Sequence, residues 1–159
     1  MENHELLLAE HEFNLSDFAL FLSVMKNPRA YRCALSIILA EPDIELVEVK
    51  VEQVILNKVG KRAIRLDAWA RSKDQRQFNM EMQNDSKSDD LRKRSRFYQS
   101  MIDTPILKSG KKIRYRNLPS TVIIFITQEE IFGKDLAKYT FTERCKEVEN
   151  LELPQSHWL

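Results

Sequence analysis

The hydrophobic positions of the chain repeat first at helical spacing and then at every second residue. Apolar residues recur one helical turn apart from Phe18 to Met25, and Pro28 favours the first turn of a second helical segment that runs to about residue 40. After Pro42, apolar and polar residues alternate in three successive stretches, residues 47–52, 64–71 and 78–83. The pattern therefore predicts two helical segments followed by three strands joined by short turns.

The second half of the chain predicts one more helix and one more strand. Ser86 and Asp89 have the spacing of a capping box, and apolar residues from Leu91 to Ile102 form one arc of a helix that ends near Asp103. Residues 122–126 are continuously apolar, as expected of a strand that is buried on both faces. Residues 139–149 are weakly patterned, and the apolar residues at the C-terminal end have no predicted partner segment. The predicted order is α-β-β-β-α-β, an α/β chain.

Composition limits the class of protein. With 159 residues, 43% of them hydrophobic and only 3 glycines and 5 prolines, residues 1–159 are expected to form one packed domain. The longest apolar run is far shorter than the ~20 residues of a membrane helix, and the acidic N-terminus is unlike a signal peptide, so we expect a cytoplasmic protein without a membrane partner. Two cysteines, and three histidines near the chain ends, argue against a disulfide framework or a zinc knuckle.

Charge is unevenly distributed along the chain. The formal net charge is +1, yet residues 87–116 contain ten basic and three acidic residues, which gives this segment a local charge of +7 and leaves about −6 for the remainder. Two interpretations remain open: a face that binds a polyanion such as nucleic acid, or a solvated charged helix and loop.

Two carboxylates are predicted to face each other across a hairpin. An antiparallel hairpin centred on Asp74 places Asp67 directly opposite Glu81, with Gln83 two residues along on the same face. Like charges in such a pair destabilise a sheet unless a cation lies between them, and a divalent cation fits. The spacing alone is weak support, because an acid followed two positions later by Lys or Gln occurs elsewhere in the chain.

Three blocks around these residues resemble a known family. They are LDAWAR (66–71), FNMEMQ (78–83) and RSRFYQSMID (94–103), with further similarity in residues 122–127, 131–133 and 143–145. Together, over roughly residues 13–150, they resemble the bacterial PD-(D/E)XK nuclease family transposases, which are related to recombination-promoting nucleases. The resemblance implies a restriction-endonuclease-like fold, in which a mixed central sheet is flanked by helices and the acidic pair lies on the second and third strands.

The resemblance also implies roles for individual residues. Asp67 matches the motif aspartate, and Glu81 and Gln83 match the E-x-(K/Q) motif. Asp67 and Glu81 would hold Mg²⁺ or Mn²⁺, and the amide of Gln83 would orient the attacking water. The basic helix and the loop after it would bind DNA through Arg92, Lys93, Arg94, Arg96, Lys111 and Lys112. Arg94 either points inward near Gln83 or extends along the helix surface, whereas Tyr98 is expected to be a core residue.

The implied function is a metal-dependent DNA endonuclease associated with transposition or recombination. The alternative is a catalytically inactive relative that binds nucleic acid or a protein through its basic face. Ser36 bears on this choice, because many relatives have a glutamate at this position of the first helix. Three explanations of the difference stay open: a neighbouring acid compensates for the missing glutamate, metal affinity is reduced, or the protein is inactive. Relatives are also usually longer, which implies a truncated C-terminus and leaves open whether an oligomer-forming C-terminal region is present. A third alternative is a structural or interaction fragment, which a homodimer formed through Trp158 and Leu159 without affinity for nucleic acid would favour.

Overall fold

The computed structural model describes residues 17–55, 63–85, 89–107 and 114–158. Three helices and six strands follow one another in these residues. The helices are α1 (Phe18–Met25), α2 (Pro28–Leu39) and α3 (Leu91–Asp103), with a short 3₁₀ turn at Tyr115–Asn117. The strands are β1 (Leu46–Ile55), β2 (Ile64–Ser72), β3 (Gln77–Gln83), β4 (Thr121–Thr127), β5 (Thr140–Arg144) and β6 (Glu152–Trp158).

The strands form one mixed sheet in the order β1-β2-β3-β4-β6-β5. The first three are antiparallel neighbours, β3 and β4 are parallel, β4 and β6 are parallel, and β5 is antiparallel to β6. The order α-β-β-β-α-β and the mixed sheet that the sequence predicts are therefore confirmed.

Helices cover both faces of this sheet. Neighbouring residues of β4 point to opposite faces, and Ile124 packs with α1 and α2 whereas Ile123 packs with α3. Phe21, Tyr31 and Leu35 belong to the first of these clusters, and Tyr98, Met101 and Ile102 belong to the second. The basic helix α3 thus lies on the opposite face of the sheet from α2. Within the described residues, no helix has the length and apolar character needed to cross a bilayer.

Local signals fix where two of the helices begin. Pro28 is the first residue of α2, and Asn27 Oδ1 accepts a hydrogen bond from Arg29 N at 2.9 Å, which confirms that Pro28 opens a second helix. At α3 the capping side chain is Asp90, whose Oδ1 accepts from Arg92 N at 3.1 Å, and not the predicted capping box, of which Ser86 lies outside the described residues.

The C-terminal strands are a correction to the sequence prediction. The weakly patterned segment forms β5, and β6 pairs with β4 from Thr121↔Gln155 to Ile124↔Trp158. The prediction that the C-terminal end lacks a partner segment is therefore wrong. The reason is that its partner is β4, a strand that ends far earlier in the chain, so that local patterning carries no signal of the pairing.

Candidate functional site

The β2–β3 hairpin has the predicted register. Ala68 pairs with Met80 and Arg71 pairs with Gln77, and Ser72 N closes the turn by donating to Arg76 O at 3.0 Å. The next pair in this register is Asp67 with Glu81. Regular pairing between the two strands stops at this point.

The two carboxylates take the place of backbone acceptors where the ladder stops. Asp67 N donates to Glu81 Oε1 at 3.0 Å, and Met82 N donates to Asp67 Oδ2 at 3.2 Å. Each strand thus holds the acidic side chain of the other. Only 7% of Asp67 and 1% of Glu81 is exposed, so both carboxylates are fixed inside the fold.

The pairing of β2 with β1 is also interrupted at Asp67. Val51 pairs with Ala68 and Gln53 with Leu66, but Glu52, which would face Asp67, has a left-handed backbone with a φ of 52°. Leu66 packs with the α3 side of the sheet, as Trp69 does, whereas Ala68 packs with the α1 and α2 side. The predicted unbroken alternation over residues 64–71 is therefore wrong, because the irregularity at Glu52 and Asp67 changes which face each residue occupies.

Burial and mutual repulsion raise the affinity of this pair for protons. The pKa of Glu81 is raised from 4.5 to about 7, first by burial and then by the charge of Asp67. The pKa of Asp67 is also raised, chiefly by burial. Glu81 therefore keeps its proton to a higher pH than an exposed glutamate does, so the pair carries less than its full negative charge over this range when no cation is bound.

Arg94 extends from helix α3 to this pair of carboxylates on β2 and β3. Its Nη1 donates to Gln83 Oε1 at 2.6 Å, and its Nη2 lies 3.4 Å from Glu81 Oε2. Its Nε and Nη2 also donate to the Tyr98 hydroxyl at 3.1 and 2.7 Å. Of the two orientations that the sequence leaves open, the structure shows the inward one.

Two residues that support the acidic pair were not predicted from the sequence. Asn79 is fully buried, and its Nδ2 donates to Glu81 Oε1 at 2.8 Å. The Tyr31 hydroxyl, from α2, lies 2.9 Å from Ala68 O and 3.3 Å from Phe78 O and so ties β2 to β3 behind the carboxylates. Alternation along β3 places Asn79 on the same face as Glu81 and could have identified it, whereas nothing in the sequence distinguishes Tyr31 from an ordinary core aromatic residue.

A cavity of about 480 Å³ opens beside the carboxylates, between β2 and α3. Asp67 and Asp89 contribute two carboxylates to its lining, and the other charged and aromatic side chains supply positive charge and aromatic surface: Arg65, Lys93, Arg94, Phe97 and Tyr98. Tyr98 is buried, as expected of a core residue, but its hydroxyl also holds Arg94 at this cavity.

The remaining basic residues predicted to bind DNA differ in position. Arg92 and Arg96 are exposed on α3; Arg92 is bonded to Asp90 at 3.1 Å, and its guanidinium lies 6.0 Å from the centre of the Phe132 ring. Lys111 and Lys112 lie outside the described residues. The structure therefore brings Lys93 and Arg94 to the cavity and leaves Arg92 and Arg96 at the helix surface.

Ser36 does not take part in the site. It lies on α2, across the sheet from α3, and its Oγ donates to Cys33 O at 2.8 Å within its own helix. It is not among the residues that line the cavity. This position supplies no carboxylate, and the described residues contain no group of three or more Asp, Glu, His or Cys side chains that could hold a metal ion.

The donor set still fits a hard divalent cation. Mg²⁺ is commonly bound by one or two carboxylates together with waters and substrate phosphate oxygens. Asp67 Oδ1 takes no part in the hydrogen bonds described above, and Asp67 faces the cavity. Glu81 Oε2 and Gln83 Oε1 meet only the guanidinium of Arg94 among the described hydrogen bonds. Asp67 Oδ1 and Glu81 Oε2 are thus the carboxylate oxygens that the hydrogen bonds of the sheet leave for a cation.

Comparison with known proteins agrees with this geometry. The sequence model of the PD-(D/E)XK nuclease family transposases matches residues 18–153, which is most of the chain. No curated protein and no solved structure gives a significant match. The matched region includes both strands that carry the acidic pair and helix α3, and the mixed sheet with helices on both faces is the restriction-endonuclease-like arrangement. The chain therefore belongs to the PD-(D/E)XK nuclease family of transposases.

Proposed function

We propose that the protein is a metal-dependent DNA endonuclease in which Asp67 and Glu81 hold Mg²⁺ or Mn²⁺. The observation that carries this proposal is the interlocked, buried pair of carboxylates, of which Asp67 faces a cavity that Arg65, Lys93 and Arg94 also line. A purely structural role explains it poorly, because two buried like charges destabilise a fold that does not use them.

The bound ion would polarise a phosphodiester group and lower the pKa of a bound water. The two carboxylates can do neither of these without the ion. The residues of the chain supply the positioning. The Gln83 amide accepts from Arg94 Nη1 through Oε1 and donates to Asp85 O through Nε2 at 2.6 Å, so its second N–H would orient the attacking water, and Arg94 and Lys93 would offer cations to the phosphate. In the net reaction, water attacks phosphorus, one P–O bond breaks, and the leaving oxygen takes a proton.

DNA is the proposed substrate, and α3 is the proposed contact. Arg92, Lys93, Arg94 and Arg96 lie on this helix, next to the cavity or on its exposed surface. The cytoplasmic location, the homodimer and the contribution of Lys111 and Lys112 stay predictions from the sequence.

Cleavage of supercoiled plasmid DNA in the presence of Mg²⁺ tests the proposal. We expect the wild-type protein to cut the plasmid and Asp67→Asn and Glu81→Gln to lose at least about a hundredfold in rate, as is typical when a group that stabilises charge in the transition state is removed. Asp43→Asn is the matched control, because Asp43 is exposed on the connection between α2 and β1 and should leave the rate unchanged.

Two results would contradict the proposal. One is a wild-type protein that binds DNA tightly and does not cut it with either Mg²⁺ or Mn²⁺, which would favour the inactive, DNA-binding alternative. The other is cleavage that persists in both Asp67→Asn and Glu81→Gln. Melting temperatures of the variants show whether a lost activity reflects a lost fold.

A further inference from the structure

The acidic pair already has a cation next to it, and that cation belongs to the chain. The Arg94 guanidinium lies between Glu81 and Gln83 on one side and the Tyr98 hydroxyl on the other, with 27% of its side chain exposed. The Tyr98 and Phe125 rings lie 5.0 and 5.7 Å from it. It is thus held in place by four side chains.

Arg94 occupies the oxygen atoms that a metal ion would need. Glu81 Oε1 is committed to the sheet, because it accepts from both Asp67 N and Asn79 Nδ2. Glu81 Oε2 has no such bond and faces Arg94 Nη2, and Gln83 Oε1 accepts from Arg94 Nη1. An ion coordinated by Glu81 Oε2 therefore competes with the guanidinium for this oxygen.

The displaced guanidinium has a place to go. Arg94 and Tyr98 both line the open cavity beside Asp67, and the Tyr98 hydroxyl bonds to Nε as well as Nη2. A guanidinium that keeps the Nε contact and turns its two outer nitrogens into the cavity presents the fork that binds a phosphate.

We propose that Arg94 is an exchangeable internal counter-ion, which neutralises the acidic pair when no metal is bound and yields Glu81 and Gln83 to the incoming ion. This inference rests on the proposed function, because it assumes that the pair binds a divalent cation. It adds that metal binding and the release of Arg94 toward the substrate are one linked event, and hence that Arg94 limits metal affinity.

Calorimetric titration of Mg²⁺ and of Mn²⁺ into the DNA-free protein tests this exchange. Arg94→Met keeps the length of the side chain and removes the competitor, so we expect the metal to bind about tenfold more tightly, which is the effect of losing one charge-assisted hydrogen bond. Arg94→Lys keeps the charge but cannot bridge Glu81, Gln83 and Tyr98 together, and should give a smaller gain. If Arg94→Met folds poorly, the metal affinity of Arg94→Lys still tests the exchange.

Lys93→Met is the matched control for charge. It removes one positive charge from the same helix and the same cavity, but Lys93 bonds to neither Glu81 nor Gln83 within the described residues. Its metal affinity should stay within about twofold of the wild type. Equal gains in Lys93→Met and Arg94→Met would overturn the inference, since the effect would then be general electrostatics.

The outcomes separate the two proposals. Metal binding that is unchanged or weaker in both Arg94 variants overturns the counter-ion role and leaves the metal site in place. Absence of metal binding in the wild type and in every variant removes the proposed metal site and this inference with it. Tighter binding in Arg94→Met, an intermediate value in Arg94→Lys and no comparable change in Lys93→Met support the exchange.

Discussion

At the scale of single residues, Glu81 sets the properties of the site. It is the most deeply buried carboxylate among the described residues, and it accepts hydrogen bonds from Asp67 N and Asn79 Nδ2 while Arg94 approaches its second oxygen. These donors lower its pKa, but burial and the charge of Asp67 outweigh them and raise it to about 7. The residue is therefore poised between a neutral and a charged state under ordinary assay conditions.

The raised pKa of Glu81 predicts how stability changes with pH. Native Glu81 binds a proton more tightly than a glutamate in the unfolded chain, whose pKa is near 4.5. The free energy of unfolding of the metal-free protein should therefore fall by about 3 kcal/mol through this residue as pH rises from about 4.5 to about 7, and this contribution should become level above that range. Urea unfolding in the presence of a chelator, at a series of pH values, measures it.

Glu81→Gln isolates that contribution. Its curve should lose the part of the decline that Glu81 causes, because glutamine does not titrate, and should keep only the smaller decline due to Asp67, whose pKa burial also raises. Glu149→Gln, at an exposed position, should follow the wild type. Parallel curves for wild type and Glu81→Gln would mean that the carboxylate is not held in the buried, proton-binding state that its contacts indicate.

At the scale of elements, helix α3 combines a buried face and a basic face. Leu91, Tyr98 and Ile102 pack in the cluster on one side of the sheet, whereas Arg92 and Arg96 are exposed and Lys93 borders the cavity. Helix α2 has exposed arginines too, but it lies across the sheet from the cavity. Variants on the two helices can therefore distinguish a specific role of α3 in DNA binding from a general effect of positive charge.

The salt dependence of DNA binding should differ between these helices. If Lys93 and Arg96 contact phosphates, Lys93→Ala and Arg96→Ala should each reduce the slope of log affinity against log salt by about one unit and weaken binding to all sequences alike. Arg32→Ala on α2 should leave the slope unchanged. Anisotropy of a labelled duplex in the presence of a chelator gives the slopes, and equal slopes for all three variants would make α3 an ordinary solvated helix.

The elements themselves were partly predictable from sequence. The β2–β3 register follows from alternation and a four-residue turn, so Asp67 and Glu81 could be placed opposite each other before the fold was known. The contact between Arg94 and Glu81 could not, because it depends on how α3 docks on the sheet. The change of face at Asp67 was hidden for a similar reason: the left-handed backbone at Glu52 belongs to a different strand.

At the scale of the whole molecule, the sheet continues beyond the predicted core. In the sheet, strand β6 lies between β4 and β5 and is parallel to β4. Along the chain, β5 and the segments on either side of it separate β6 from β4. Pro154 weakens the strand signal of this segment, and its partner is remote in sequence. The sequence therefore predicts the part of the sheet that carries the acidic pair and misses the part that extends it.

The proposed nuclease activity requires that a divalent ion bind where the sheet opens between β2 and β3. The most direct measurement is an anomalous difference map from crystals of the protein soaked in Mn²⁺, compared with crystals of Glu81→Gln treated in the same way. We predict a peak bounded by carboxylate oxygens of Asp67 and Glu81 in the wild type, its loss in the variant, and an Arg94 side chain turned away from Glu81 where the ion is present. Crystals soaked to high Mn²⁺ that show no peak at Asp67 and Glu81, with Arg94 still bonded to Gln83, would contradict metal binding by the acidic pair.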